Sequence, residues 1–505
     1  MEKNKILIGL FFTFLYLVLQ LFLMKDYGIS WDFHYHLYGG LHQLGIAVPS
    51  IDKPPPVPFT PPDPRLTIDD PFGPIMGIIP ALSYQILFET LHLLPFDMAY
   101  NLPSVLYGSI GVGILYFFLY QALGVRGGLI GALILGFLPN YFGYLHVNMK
   151  DIPVAVVFCL SIYFFWRLSR NKKFIDLFLA SLFFGIAFSI KVNAIYIPII
   201  CALWLLISMR KKLLDKSMRI VLVYFISAPL AALFIWWPFW TDPVAKLIEL
   251  RDTFSHNTFN MPVLLSGETY RSGINIPFYY PYLYLAITTP LSILLFFVVG
   301  LFISLKRGSF YLLLILWFFV PLLRFFLPNV SVIDGVRHFL EVLFPLAAIA
   351  AVGFMVVYSY LRKSKIFLLF IFGSLVYNIV FYHPYQTSFY NLLVGGIRGA
   401  NGKYDIDFWG TPQKEAVGWL NENAEKGSAI NIFMAQSSAS MYLRHDLLER
   451  VNTRNLWESD YVVILNRPSF WNEEVKKFMT EKIGRGKIAY SRTIDTVPLV
   501  WVLAK

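Results

Sequence analysis

The stretch NMKDIPVAVVFCLSIYFFWRLSRNKK, residues 148–173, sets an apolar run from Ile152 between Asp151 at one end and Arg167, Arg170, Lys172 and Lys173 at the other. From Ile152 to Leu168 the run is long enough to be read as a membrane-crossing helix. Clustered lysine and arginine mark the cytoplasmic end of such a helix, which places Asp151 on the opposite, external face.

The same reading extends in both directions. Further apolar runs lie near Lys5 to Met24, Tyr100 to Leu123, Gly128 to His146, Phe174 to Ile190, Ala194 to Met209, Ile220 to Phe239, Tyr284 to Leu305, Phe310 to Leu327, Phe339 to Tyr360 and Ile366 to Tyr382. The clusters Lys3/Lys5, Arg210/Lys211/Lys212/Lys216, Lys306/Arg307 and Arg362/Lys363/Lys365 orient them. A twelfth apolar segment, Pro74 to Leu94, has both flanks on the external side once Asp151 is placed there. Parity makes it an interfacial helix, with Pro74, Gly77 and Pro80 weakening its start. The chain thus reads as a polytopic α-helical membrane protein of about eleven spans, retained by a signal-anchor, with a cytoplasmic N-terminus. The expected location is the cell membrane.

Composition agrees: 57% of the 505 residues are hydrophobic and 14% charged, too apolar for an ordinary soluble domain. The net charge of +11 does not point to nucleic acid, because the basic residues sit in short segments between apolar runs. Cys159 and Cys201 lie inside such runs and supply no disulfide framework.

Three external segments remain: about 26–99 with the proline-rich stretch Lys53 to Pro64, read as a stiff extended spacer, about 241–283, and 383–505. In the last, composition turns soluble. Pro412 to Ala424 and Glu473 to Ile483 read as helices, and Ala429 to Met434, Tyr461 to Leu465, Lys487 to Arg492 and Val497 to Leu503 as strands. Two domains follow, a transmembrane domain over residues 1–382 and a small external α/β domain over residues 383–505.

Ionisable groups at span ends are the functional candidates. Asp32, in Gly28-Ile-Ser-Trp-Asp-Phe-His-Tyr-His36, reads either as a general base at the membrane surface or as the N-cap of an interfacial helix. Asp151 reads as an N-cap, with acceptor positioning as a second role. Lys191 and Arg337 lie at external span ends, against the positive-inside bias. They either hold a lipid-linked phosphate or snorkel to the interface. Asn148, Lys150, His34 and His36 are further candidates. A divalent metal would draw on His34, His36 and Asp32, but a His-x-His pair is too common to call for one. No P-loop, dinucleotide-binding glycine motif or Gly-x-Ser-x-Gly elbow is present, and no cofactor is called for.

These positions together resemble the GT-C glycosyltransferases, in the protein O-mannosyltransferase and aminoarabinose transferase-like branch. Trp31-Asp32-Phe33 resembles the acidic motif after the first span, and Asn148-Met-Lys-Asp151-Ile-Pro153 the second acid. Ala187-Phe-Ser-Ile-Lys191 is similar to the span that ends in lysine. His256, Gly267 and Pro277-Phe-Tyr279-Tyr280-Pro281 through Thr288-Thr-Pro290 resemble the loop over the lipid carrier. Gly335-Val-Arg337-His338 with Phe344-Pro345 resembles the late arginine motif. His383-Pro-Tyr385, Tyr390-Asn391, Gly395-Gly396, Gly399-Ala400 and Asp407-Phe-Trp-Gly410 resemble a segment of bacterial and archaeal members.

The resemblance implies a GT-C fold and an inverting transfer of a sugar from an undecaprenyl- or dolichyl-phosphate carrier. The partners it implies are that donor, membrane lipids and a protein, lipid or glycan acceptor at the outer face. Asp32 and Asp151 would be catalytic. Lys191, Arg337, His338, His256, Tyr279 and Tyr280 would bind the carrier. Phe33 stands where the family's motif has a glutamate, which leaves the acceptor class open. An O-antigen-type ligase or polymerase is the nearest enzymatic alternative. A flippase for lipid-linked sugars would instead place its acids at mid-span in repeated halves.

Overall fold

A computed structural model describes residues 2–46, 73–210, 215–256, 260–361 and 364–505. The proline-rich stretch Lys53 to Pro64 lies outside them. Among the described residues seven helices are long and apolar enough to cross a membrane, and Phe174–Ile190, Val192–Ser208 and Leu291–Ser304 are shorter apolar helices. The chain is a multi-pass membrane protein.

The longest helical element, Phe96–Gly136, is not straight. Gly124 has φ +77°, a conformation that glycine adopts without the steric cost of a Cβ. Residues twelve apart on a straight helix lie ~18 Å from each other. Yet a side chain on Gly131 would meet Leu119 at 2.2 Å, and one on Gly128 would meet the Tyr116 carbonyl at 2.9 Å. The element is therefore a helical hairpin reversing at Gly124. The first helix, Glu2–Leu23, packs along it, with Tyr16 donating its hydroxyl to the Gly136 carbonyl at 2.7 Å.

Prolines divide two expected spans. The run Gly128 to His146 stops at Phe137, and a separate helix, Pro139–Val147, begins with proline at its first turn. The run Tyr284 to Leu305 divides into Tyr280–Thr288 and Leu291–Ser304 around Pro290. A proline inside a helix loses one backbone hydrogen bond and clashes with the carbonyl four residues back, whereas at the first turn it costs nothing. The same rule corrects the expectation for Pro74. It opens the helix Pro74–Tyr84 rather than weakening it, and a π-helical turn, Gln85–Thr90, follows. This helix crosses Phe33–Gln43 so closely that a side chain on Gly40 would lie 2.0 Å from the Gly77 carbonyl oxygen.

In the segment after the helix Pro243–His256, strands β1 (Pro262–Leu265) and β2 (Glu268–Arg271) form an antiparallel hairpin. The C-terminal region carries a four-stranded sheet of β3 (Ile430–Phe433), β4 (Tyr461–Leu465), β5 (Ile488–Ile494) and β6 (Val497–Ala504) in the order β3-β4-β6-β5. The pair β3/β4 is parallel and the other two pairs are antiparallel. Successive strand residues point to opposite faces. Val463, Leu465, Val500 and Val502 accordingly pack with Val417 and Leu420 of helix Gln413–Asn423, while Val462, Ile464, Trp501 and Leu503 pack with Phe478 and Met479 of helix Glu473–Gly484.

This α/β unit is fastened to the membrane region near the end of the first helix. Trp31 N–H donates to the Trp409 carbonyl at 2.9 Å and Ser438 Oγ to the Ser30 carbonyl at 2.9 Å. Lys414 Nζ pairs with buried Asp97 at 2.8 Å.

Candidate functional site

The buried helix Pro139–Val147 delivers the turn Asn148-Met-Lys150 to the start of the helix Asp151–Asn171. Asn148 Oδ1 accepts the N–H groups of Lys150 at 3.1 Å and of Asp151 at 2.8 Å. Asn148, not Asp151, therefore satisfies the free donors of this helix start. Asp151 is the first helical residue and its carboxylate faces inward. Lys191 Nζ reaches its Oδ1 at 2.5 Å and Asn148 Nδ2 donates to its Oδ2 at 2.9 Å. Only 2% of the Asp151 side chain is exposed.

Asp32 stands before the helix Phe33–Gln43 without capping it by its side chain. Its Oδ2 accepts from Arg337 Nη1 at 3.2 Å instead, and 32% of the side chain is exposed. Burial raises the affinity of this carboxylate for a proton, but the charges of Arg337 and Lys150 outweigh it and hold the carboxyl below its ordinary range. His36 Nε2 lies 3.9 Å from Asp32 Oδ2. Burial, then the Lys150 charge, pushes the His36 imidazole down to about 3, so it is neutral at physiological pH.

Arg337 also reaches Asp334 Oδ2 through Nε at 3.2 Å, and its guanidinium lies 4.8 Å over the Trp409 ring. The other oxygen of Asp334 is taken by Arg467 Nη2 at 2.6 Å. Arg467 follows strand β4, donates to the Phe408 carbonyl at 3.1 Å and lies 4.0 Å over Phe470. A relay of ion pairs, buried except at Asp32, thus runs from Asp32 through Arg337 and Asp334 to Arg467.

These groups surround one cavity of about 760 Å³. Of the residues singled out in the sequence, Asp32, His36, Lys150, Asp151, Lys191, Arg337 and His338 line it. Asn148 acts from behind through Asp151. His34 is buried and packs edge-on to Tyr38 at 5.5 Å. Tyr279 is exposed, Tyr280 is buried against Tyr284 at 4.5 Å, and neither lines the cavity. The side chain of His256 lies outside the described residues. Among the described residues no three His, Cys, Asp or Glu converge as a set of metal ligands.

Sequence reasoning missed Asp334, Arg324 and Arg467, which also line the cavity. Arg324 ends a span and lies 5.8 Å over Tyr196. Asp334 lies three residues before Arg337, and that spacing was a usable signal. Arg467 carried little, being one basic residue after an apolar strand.

Residues 90–237 match the family model for dolichyl-phosphate-mannose-protein mannosyltransferase. No curated protein matches the chain by sequence. The structure is similar to that of ArnT from Cupriavidus metallidurans bound to undecaprenyl phosphate, with TM-score 0.55 and 12% identity over 98% of this chain and 97% of that one. It is similar also to the same protein in the apo state, with TM-score 0.54 and 11% identity over 99% and 98%. The fold is GT-C, of the ArnT type, with an α/β region at its C-terminal end.

Proposed function

We propose that the chain is an inverting glycosyltransferase, moving a hexosyl or pentosyl unit from undecaprenyl or dolichyl phosphate to a hydroxyl of a protein, lipid or glycan. The acceptor would meet it at the outer face of the cell membrane. The GT-C fold, the mannosyltransferase-like segment and the undecaprenyl phosphate held by the ArnT structure support this reading.

One observation carries the assignment of the base. Among the described residues three aspartates line the cavity, but Asp151 and Asp334 are closed off by their partners at 2% and 5% exposure, whereas Asp32 keeps 32% of its side chain open. Of the three, only Asp32 is open to a substrate hydroxyl. In the reaction the acceptor oxygen bonds to the anomeric carbon while the bond from that carbon to the phosphate oxygen breaks. The acceptor proton passes to Asp32, and the electron pair leaves on the phosphate, where Arg337 and Lys191 meet the developing charge. A single displacement inverts the anomeric centre.

Arg337 links the two halves of the step. Before the donor binds, it holds the Asp32 carboxylate in a weakly basic state. A phosphate that draws the guanidinium away strengthens the base when there is a sugar to transfer. Asp151 serves here to hold Lys191 in place rather than to touch the acceptor.

The test is sugar release from radiolabelled polyprenyl-phosphate sugars by the purified chain, with the anomeric configuration of the product determined. Full activity in Asp32→Asn, or a retained configuration, overturns the assignment.

A further inference from the structure

The helix Asp151–Asn171 carries Asp151 of the cavity at its first residue and Arg167 and Arg170 in its last turns. Its 21 residues span ~30 Å, about the thickness of a bilayer core. A second cavity, of about 500 Å³, lies at that far end. Its wall includes Lys5 of the first helix, Gln121 and Gly124 of the hairpin turn, and Trp166, Arg167 and Arg170.

The cations here are not equivalent. Arg167 is committed to buried Asp176 through Nε at 3.1 Å. Arg170 lies 4.7 Å over the Trp166 ring, and among the side chains that the structure describes, which begin at Asn4, neither it nor Lys5 has a carboxylate partner. The reversal at Gly124 leaves open space where a side chain would stand, and Gly124 lines the recess together with the two cations. Snorkelling alone would send each to water separately. Here two cations from different helices line one polar recess; at the level of lipid headgroups phosphate is the abundant anion, and charge-assisted bonds to it are strong.

We propose that this recess binds the phosphate of an anionic phospholipid headgroup in the leaflet opposite the large cavity, pinning the first helix and the hairpin turn to the helix Asp151–Asn171. Lys5 and Arg170 contact the phosphate oxygens, and Gln121 lies beside them.

Native mass spectrometry of the full chain, titrated with phosphatidylglycerol, phosphatidylcholine or inorganic phosphate, tests this. Phosphatidylglycerol should be retained about tenfold more tightly than phosphatidylcholine, and the Lys5→Gln/Arg170→Gln variant should lose that preference. Gln121→Glu removes no cation and should weaken the same adduct by adding a negative charge, so the test stands even if the double variant folds poorly. Equal retention of the two lipids, or a preference that survives both variants, overturns the proposal. Displacement of phosphatidylglycerol by inorganic phosphate at equal concentration assigns the recess to a free anion and overturns the lipid assignment.

Discussion

Arg467 Nη2 lies 2.6 Å from Asp334 Oδ1, although 133 residues separate them in the chain. The pair joins the C-terminal α/β region to the membrane region at the wall of the cavity, one residue removed from the proposed base. Both side chains are almost wholly buried, and Asp334 balances two guanidinium groups.

Asp334→Asn leaves Arg337 and Arg467 under-compensated in a buried site. Removing one partner of a buried ion pair costs about 3–5 kcal/mol, so the variant should melt well below the wild type in a thermal-shift assay and lose most transfer activity. Arg467→Met, which removes a charge of the other sign, should damage activity as well. Normal activity in both would show that the α/β region does not support the site.

Asp32→Asn should lower kcat by about 10²- to 10⁴-fold, the usual contribution of a positioned general base. Binding of the polyprenyl-phosphate donor should survive, because the phosphate is assigned to Arg337 and Lys191. A loss confined to donor affinity, measured by competition with the carrier phosphate, would move Asp32 from base to donor binding.

Asp151 and Lys191 form one unit, with Nζ and Oδ1 2.5 Å apart. Asp151→Asn and Lys191→Met should each impair transfer, and the double variant should be little worse than the more damaged single one, since contacting residues are not additive. Additive losses would mean that Asp151 contacts the acceptor independently.

The acid side of the rate profile should lack a histidine step. His36 is pushed down to about 3 and stays neutral through the working range, while Asp32 is held below the usual carboxylate range. A base must be deprotonated, so activity should persist as pH falls towards 4 and be lost only as Asp32 protonates. His36→Gln should leave the shape of the profile above about pH 5 unchanged in kcat/KM measurements, which report the free enzyme.

Asp407 is pushed up to about 6 by burial, against the hydrogen bonds from Gly410 and Trp409. The folded state therefore holds this proton more tightly than the unfolded chain, whose carboxyl titrates near 3.8. Its contribution to stability is fully present at low pH and is lost as pH rises from about 4 to about 6. Asp407→Asn keeps an oxygen to accept the Trp409 and Gly410 N–H groups, which now bond Oδ1 at 3.1 and 2.6 Å. The variant should flatten melting temperature against pH in that window. An unchanged slope would assign it to another group.

By itself, the sequence determined what the solvent imposes. A run such as Ile152 to Leu168 satisfies its backbone polar groups only as a helix in hydrocarbon, and lysine and arginine at one end orient it. The unbroken apolar runs Tyr461 to Leu465 and Val497 to Leu503 likewise require a sheet covered on both faces, and the C-terminal α/β pattern was legible for that reason. Proline positions were legible too, yet Pro139 and Pro290 were read through, because hydrophobicity alone does not register a missing N–H. Only the tertiary structure decided how charges from distant segments are divided. It gave the cap at residue 151 to Asn148, turned Asp151 towards Lys191, left Asp32 open beside Arg337, and brought Arg467 from a strand end to Asp334. Which carboxylate is paired and which stays accessible depends on distances across the fold, and spacing along the chain does not encode them.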